Sequence, residues 1–222
     1  KSGSTSVKRR PIVTCGSQEA MTDAFMCVVD QRDEVVLPDP SFPAYDACTR
    51  IAQGVPVYYR MPADDEFGFD ISNFRSQISE KTKAAVVISP SNPTGKILTE
   101  RNLRDIAEAL DGTGIWLISD EIYSDLYFGD RPHSASEYYD KTIIVSGLSK
   151  SLSMTGWRLG WAASKDAGVM EAIQVLHGYT PVCAATIVQP TTLAVPRRQW
   201  MTAKPSVWPS RIARSTRLRS SR

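Results

Sequence analysis

Lys150 and Arg158 stand eight residues apart in VSGLSKSLSMTGWRLGW, residues 145–161, a run rich in serine and glycine that follows an apolar stretch. A lysine amine can form an imine with an aldehyde when a desolvated, partly cationic setting lowers its pKa. A planar guanidinium can clamp a phosphate through two parallel hydrogen bonds. Alone, Lys150 fits an ordinary solvated loop lysine, and Arg158 fits a partner for a surface carboxylate. Other residues enlarge the set. Gly16, Ser17 and Gln18 open a predicted helix whose backbone N–H groups can meet an anion, although Gly16 can equally just turn the chain. Asp120 follows the apolar run GIWLIS, so its carboxylate is expected to be half buried and to need a cation; its plain role is to cap the next turn. Tyr123 and Asn92 can hydrogen-bond a phenolate oxygen, and Phe42 in DPSFPAY can stack on a ring. Packing, turn formation and core burial are the respective alternatives.

Holding these groups together falls to an alternation of predicted strands and helices. The strands are PIVTC (11–15), EVVLP (34–38), VPVYYRM (55–61), AAVVIS (84–89), IWLIS (115–119), TIIVS (142–146) and RLGWAA (158–163). Helices are expected over 17–29, with Met21, Phe25 and Val28 on one face, then near 44–53, 71–78, from a Thr99 cap to Leu110, and near 165–177. Short, continuously apolar strands suit a mostly parallel sheet with helices on both faces, an α/β fold. In such sheets the ligand lies beyond the carboxyl ends of the strands. Gly16 to Gln18, Asn92, Asp120 and Lys150 all leave strand ends and can therefore converge.

The 222 residues, 42% of them hydrophobic, are enough for one sizeable α/β domain. Four cysteines without a CxxC pair and only two histidines, His133 and His177, argue against a disulfide scaffold, a zinc cluster and most nucleophilic triads. No metal is expected. No run approaches 18 apolar residues, and KSGSTSVKRR lacks the apolar centre of a signal peptide, so a cytoplasmic protein without a membrane partner is expected. Residues 190–222 hold eight of the 26 basic residues and no acidic one, which leaves the remainder at about −6. That basic tail shows no helix-turn-helix pattern, so no nucleic-acid partner is expected. The expected division is a connector remnant (1–10), the α/β domain (11–189) and the tail (190–222), the last either disordered or the product of a frame change.

GLSKSLSMTGWRLG (147–160) resembles the lysine motif of class I and II aminotransferases, and TCGSQEA, DPSFPAY, SPSNPTGK and SDEIY are similar to that family's other motifs, in the same order. The resemblance implies the large domain of the aspartate aminotransferase fold type, a pyridoxal 5'-phosphate cofactor, a homodimer, and transfer of an amino group between an L-amino acid and a 2-oxo acid. It implies that Lys150 is catalytic, holding the cofactor as an imine and then moving a proton. Asp120 would keep the pyridine nitrogen protonated, Tyr123 and Asn92 would bind the ring oxygen, Phe42 would stack on the ring, and Ser17, Gln18 and Arg158 would hold the phosphate. One position departs from the pattern: Gly147 stands where many relatives carry a phosphate-binding serine, for which Ser146 or Ser149 could substitute. Relatives are longer, and the small domain that supplies the substrate-carboxylate arginine is expected to be largely missing here. A catalytically incomplete cofactor-binding fragment, a regulator domain, and a lyase or synthase of the same fold type remain as alternatives.

Overall fold

Apolar side chains alternate along the central strands and sort their neighbours onto opposite faces of one sheet. Val35 and Leu37 join one buried cluster and Val36 another; Val86 and Ile88 separate in the same way from Ala85 and Val87, and Ile118 from Leu117. Both faces are therefore core, as a sheet covered on both sides requires. The structure is a computed structural model and describes residues 11–189; the expected connector and basic tail lie outside the described residues.

Seven strands form the sheet: β1 (Ile12–Thr14), β2 (Glu34–Asp39), β3 (Val55–Arg60), β4 (Thr82–Ile88), β5 (Trp116–Asp120), β6 (Thr142–Gly147) and β7 (Gly160–Ser164). Their order is β1-β7-β6-β5-β4-β2-β3. β3, β2, β4, β5 and β6 run parallel, and β7 is antiparallel to both β6 and β1. The mostly parallel α/β sheet expected from the sequence is the one observed.

The helices are α1 (Ser17–Val28), α2 (Ala44–Ile51), α3 (Ile71–Ser76), α4 (Glu100–Leu110), α5 (Leu148–Ser151) and α6 (Ala167–Tyr179). α1, α2 and α6 bury Met21, Phe25, Tyr45, Val169 and Ile173 on one face of the sheet; α3 and α4 bury Phe74, Leu103, Ile106 and Leu110 on the other. Two local features differ from expectation. Lys150 lies in the single turn α5 rather than in a loop, and β7 starts at Gly160 rather than Arg158. The delay has a backbone cause: Thr155–Trp157 make a 3-10 turn, and Arg158 leaves it in the left-handed region at φ 51°.

Topology places the ligand site. From β2 the chain moves outward to β3, whereas from β4 it moves the other way to β5, so the strand order reverses between β2 and β4. A crevice opens at the carboxyl ends of strands beside such a reversal. Phe42 follows β2, Asn92 follows β4, Asp120 ends β5 and Lys150 follows β6.

α4 begins with a reciprocal cap: Thr99 Oγ1 accepts from Asn102 N at 3.2 Å while Asn102 Oδ1 accepts from Thr99 N at 3.0 Å. Thr99→Ala should lower stability by about 1 kcal/mol. A lower urea midpoint at unchanged slope is the expected reading.

Candidate functional site

The deepest element of the site is a carboxylate. Asp120 pairs in register with Ile88 on one side and Val145 on the other, so it sits at the end of the central strand with only 5% of its surface exposed. Its Oδ1 accepts the Ile122 N–H at 3.0 Å, and its Oδ2 accepts the Tyr45 hydroxyl at 2.8 Å. The turn-capping role open to this residue is thus realised through one oxygen, while the other faces a buried phenol. Burial pushes the Asp120 carboxyl up to about 6, against the downward pull of the Ile122 amide and the Tyr45 hydroxyl. A carboxyl at this depth gains most from a fixed cation.

A second element is an anion cradle built on close backbone approach. Gly16 precedes α1 with φ 89°, and no side chain caps the first turn of the helix. A Cβ at Gly16 would lie 2.3 Å from Arg158 Nη2, and one at Gly160 would lie 2.4 Å from Ser17 N. Only glycine at both places lets the start of β7 and the Arg158 guanidinium press against the start of the helix. Arg158 is held there by Nη1 donating to the Thr155 carbonyl at 3.0 Å. Ser17 and Gln18 thus present uncapped helix N–H groups beside a guanidinium, a suitable seat for a phosphate.

Between these two elements lies a cleft of about 180 Å³. Ser17, Gln18, Phe42, Asn92, Asp120, Tyr123, Lys150 and Arg158, the residues singled out from the sequence, all line it. Lys150 reaches over Tyr123, its Nζ 5.8 Å from the ring centroid. Phe42 meets Tyr45 edge to face at 5.8 Å, which fixes its ring at one wall of the cleft. The Gln18 side chain turns aside, with Nε2 3.7 Å from Cys48 Sγ, so its contribution to an anion site is its backbone.

Two further positions are decided by geometry. Ser149 lines the cleft, whereas Ser146 donates to the Glu121 carbonyl at 3.1 Å, so of the two serines weighed as substitutes only Ser149 faces the site. Gly147 has a steric reason to lack a side chain: a Cβ there would sit 2.8 Å from the Leu159 carbonyl oxygen. Sequence reasoning missed Tyr45 altogether. It is fully buried and separated from Asp120 by 75 positions. The signal that could have found it is the need of a buried carboxylate for a donor, combined with the position of Tyr45 three residues after Phe42.

A deeply buried carboxylate, a lysine, an aromatic ring and an uncapped helix start beside a guanidinium thus share one cleft of an α/β protein. Comparison with known proteins makes this specific. The model of the family "Aminotransferase class I and II" matches residues 3–214, and the chain belongs to that family. It is 35% identical over 188 residues to an aspartate aminotransferase of Bacillus subtilis, covering 82% of this chain and 46% of that protein. Among solved structures, the aromatic aminotransferase from Pyrococcus horikoshii matches with a TM-score of 0.81 at 30% identity, over 86% of this chain and 52% of the other. A double mutant of Thermus thermophilus aspartate aminotransferase matches with a TM-score of 0.79 at 33% identity, over 82% and 48%. The chain spans about half the length of the curated relatives it matches.

Tyr45→Phe keeps the ring and its packing but removes the hydroxyl that donates to Asp120 Oδ2. A donor to the ionised form lowers a carboxyl pKa, so its loss should move Asp120 upward from about 6. A carboxyl carbon titration by NMR, wild type against variant, reads the shift directly.

Proposed function

We propose that the chain is the cofactor-binding part of a pyridoxal 5'-phosphate-dependent aminotransferase, moving an amino group between an L-amino acid and a 2-oxo acid. The observation that carries this reading is the convergence of Asp120, Lys150 and the Gly16–Arg158 cradle on one cleft. The residues present fit the cofactor: Asp120 is a deeply buried carboxylate whose neighbours are two neutral donors, and the glycine pair leaves open the start of a helix. Assembly as a homodimer belongs to the same proposal and rests on the family resemblance, and a cytoplasmic location belongs to it on the apolar pattern of the sequence. Among the described residues no helix is long and apolar enough to cross a membrane.

Each residue has a task set by its place. Ionised Asp120, at the bottom of the cleft, holds a proton on the nitrogen of a pyridine ring. Arg158 and the Ser17 and Gln18 amides hold the phosphate, which fixes the ring in depth and direction. Phe42 covers one ring face, while Tyr123 and Asn92 offer hydrogen bonds to the ring oxygen. Lys150 enters from α5 as the amine that bonds the cofactor and, once released by substrate, carries a proton at Nζ. Pyridoxal phosphate, when bound, supplies an electron sink for the carbon that loses its amino group. Substrate choice stays at the level of the class, since the matched relatives are named for both aspartate and aromatic substrates.

Mixing the purified chain with pyridoxal phosphate should give a new visible absorbance. Borohydride should then fix one cofactor covalently, and peptide mass mapping should place it on Lys150. Lys150→Ala should abolish both; equal labelling in that variant would sink the assignment. Turnover with amino acids and 2-oxo acids then separates an enzyme from a binding fragment.

Acidification offers an independent check. Asp120 must be ionised to pair with a protonated ring, so association should weaken as pH falls through about 6. Asp120→Asn should bind more weakly throughout and lose that acid limb.

A further inference from the structure

On the same face of the sheet as the cleft, and apart from it, lies a group that the proposed function does not use. Glu19 and Asp23 are successive turns of one face of α1, and His177 comes from the last turn of α6. His177 Nδ1 lies 2.5 Å from Glu19 Oε1, and one ligand atom from each of the three residues falls within 4.8 Å of the others. The second Glu19 oxygen accepts the Cys15 N–H at 2.5 Å, which holds that carboxylate in place.

Asp23 is the anomaly. It is only 2% exposed, and its Oδ2 is buried with no hydrogen-bond partner. A buried carboxylate oxygen without a donor is costly, and native interiors leave few such atoms. Protonated His177 can satisfy Glu19 but leaves Asp23 as a net negative charge beside it. A divalent cation held by both carboxylates and a neutral imidazole would bring the group to zero charge and give Asp23 Oδ2 a partner.

We propose that Glu19, Asp23 and His177 form a divalent metal site of zinc type that ties α1 to α6. The donor set decides the metal class: one imidazole nitrogen and two carboxylate oxygens suit zinc or cobalt, whereas magnesium prefers oxygen alone. Metal–ligand bonds of about 2.0–2.2 Å in a tetrahedron separate ligand atoms by roughly 3.4 Å. The His177–Glu19 pair must therefore open by about an ångström, and water takes the fourth position. The expectation of no metal in the sequence rested on the lack of paired cysteines or histidines at ligand spacing. Here the ligands are 158 positions apart at the extremes and two of them are acidic.

The test uses the full chain, freed of metal, titrated with Co(II) and then with Zn(II) as competitor. The expected result is one equivalent of Co(II) with visible bands of a tetrahedral nitrogen–oxygen site, displaced by Zn(II), and a Tm that rises by several degrees with saturating Zn(II). His177→Gln and Asp23→Asn should each weaken binding at least tenfold and remove the Zn(II)-dependent Tm rise. Asp23→Asn should also raise the Tm of the metal-free chain, because it deletes the unpartnered charge; a variant damaged in folding would do the opposite. Absence of saturable binding, equal binding in both variants, or a thiolate-to-cobalt band showing that cysteines hold the ion would each overturn the proposal.

Discussion

A carboxylate buried at the end of the central strand is the constraint on which the site depends. Asp120 lies between Ile88 and Val145 in the sheet, and its two oxygens are engaged by the Ile122 amide and the Tyr45 hydroxyl. Those donors are neutral, so they orient the charge without cancelling it. Burial pushes its carboxyl up to about 6. Tyr45 comes from α2, which packs on the same sheet face as α1, and α1 begins beside the Arg158 guanidinium. One buried hydrogen bond thus joins the floor of the cleft to the helix layer that carries its rim.

The opposite wall is made by close approach rather than by charge burial. Gly147 pairs with Gly160 in the β6–β7 ladder, and Gly160 in turn touches the start of α1. A methyl group at any of these glycines would push the Arg158 turn away from the helix amides. The cradle at the helix start is therefore a property of three backbone segments meeting without side chains between them, with the guanidinium laid over the junction.

Much of this was legible in the sequence because its signals are local. Seven apolar runs, helix starts at Ser17 and Thr99, and the position of each candidate residue just past a strand end follow from periodicity and capping within a few residues. The family motifs added expected roles for Lys150, Asp120 and Arg158, and the fold brings all three to one cleft. What escaped was non-local or steric. Tyr45 donates across 75 positions, His177 meets Glu19 across 158, and the reason for Gly147 is a carbonyl on the neighbouring strand. None of these has a spacing signature, since each depends on which elements the sheet order brings side by side. Ser149 and Ser146 could not be told apart for a related reason: they sit on either side of the junction between β6 and α5, and α5 is a single turn, too short to show a period.

The antiparallel pairing of β6 with β7 has a further consequence for how the site is assembled in time. Lys150 and Arg158 both lie in the connection of one hairpin, closed at its base by Gly147 and Gly160. Such a hairpin involves short loop closure and can form early. Asp120, Asn92 and Phe42 reach the cleft only through parallel strands separated by helices, whose longer connections make these contacts less local. The two cations of the site thus share one local hairpin connection, whereas its carboxylate is brought to the cleft by the completed parallel sheet.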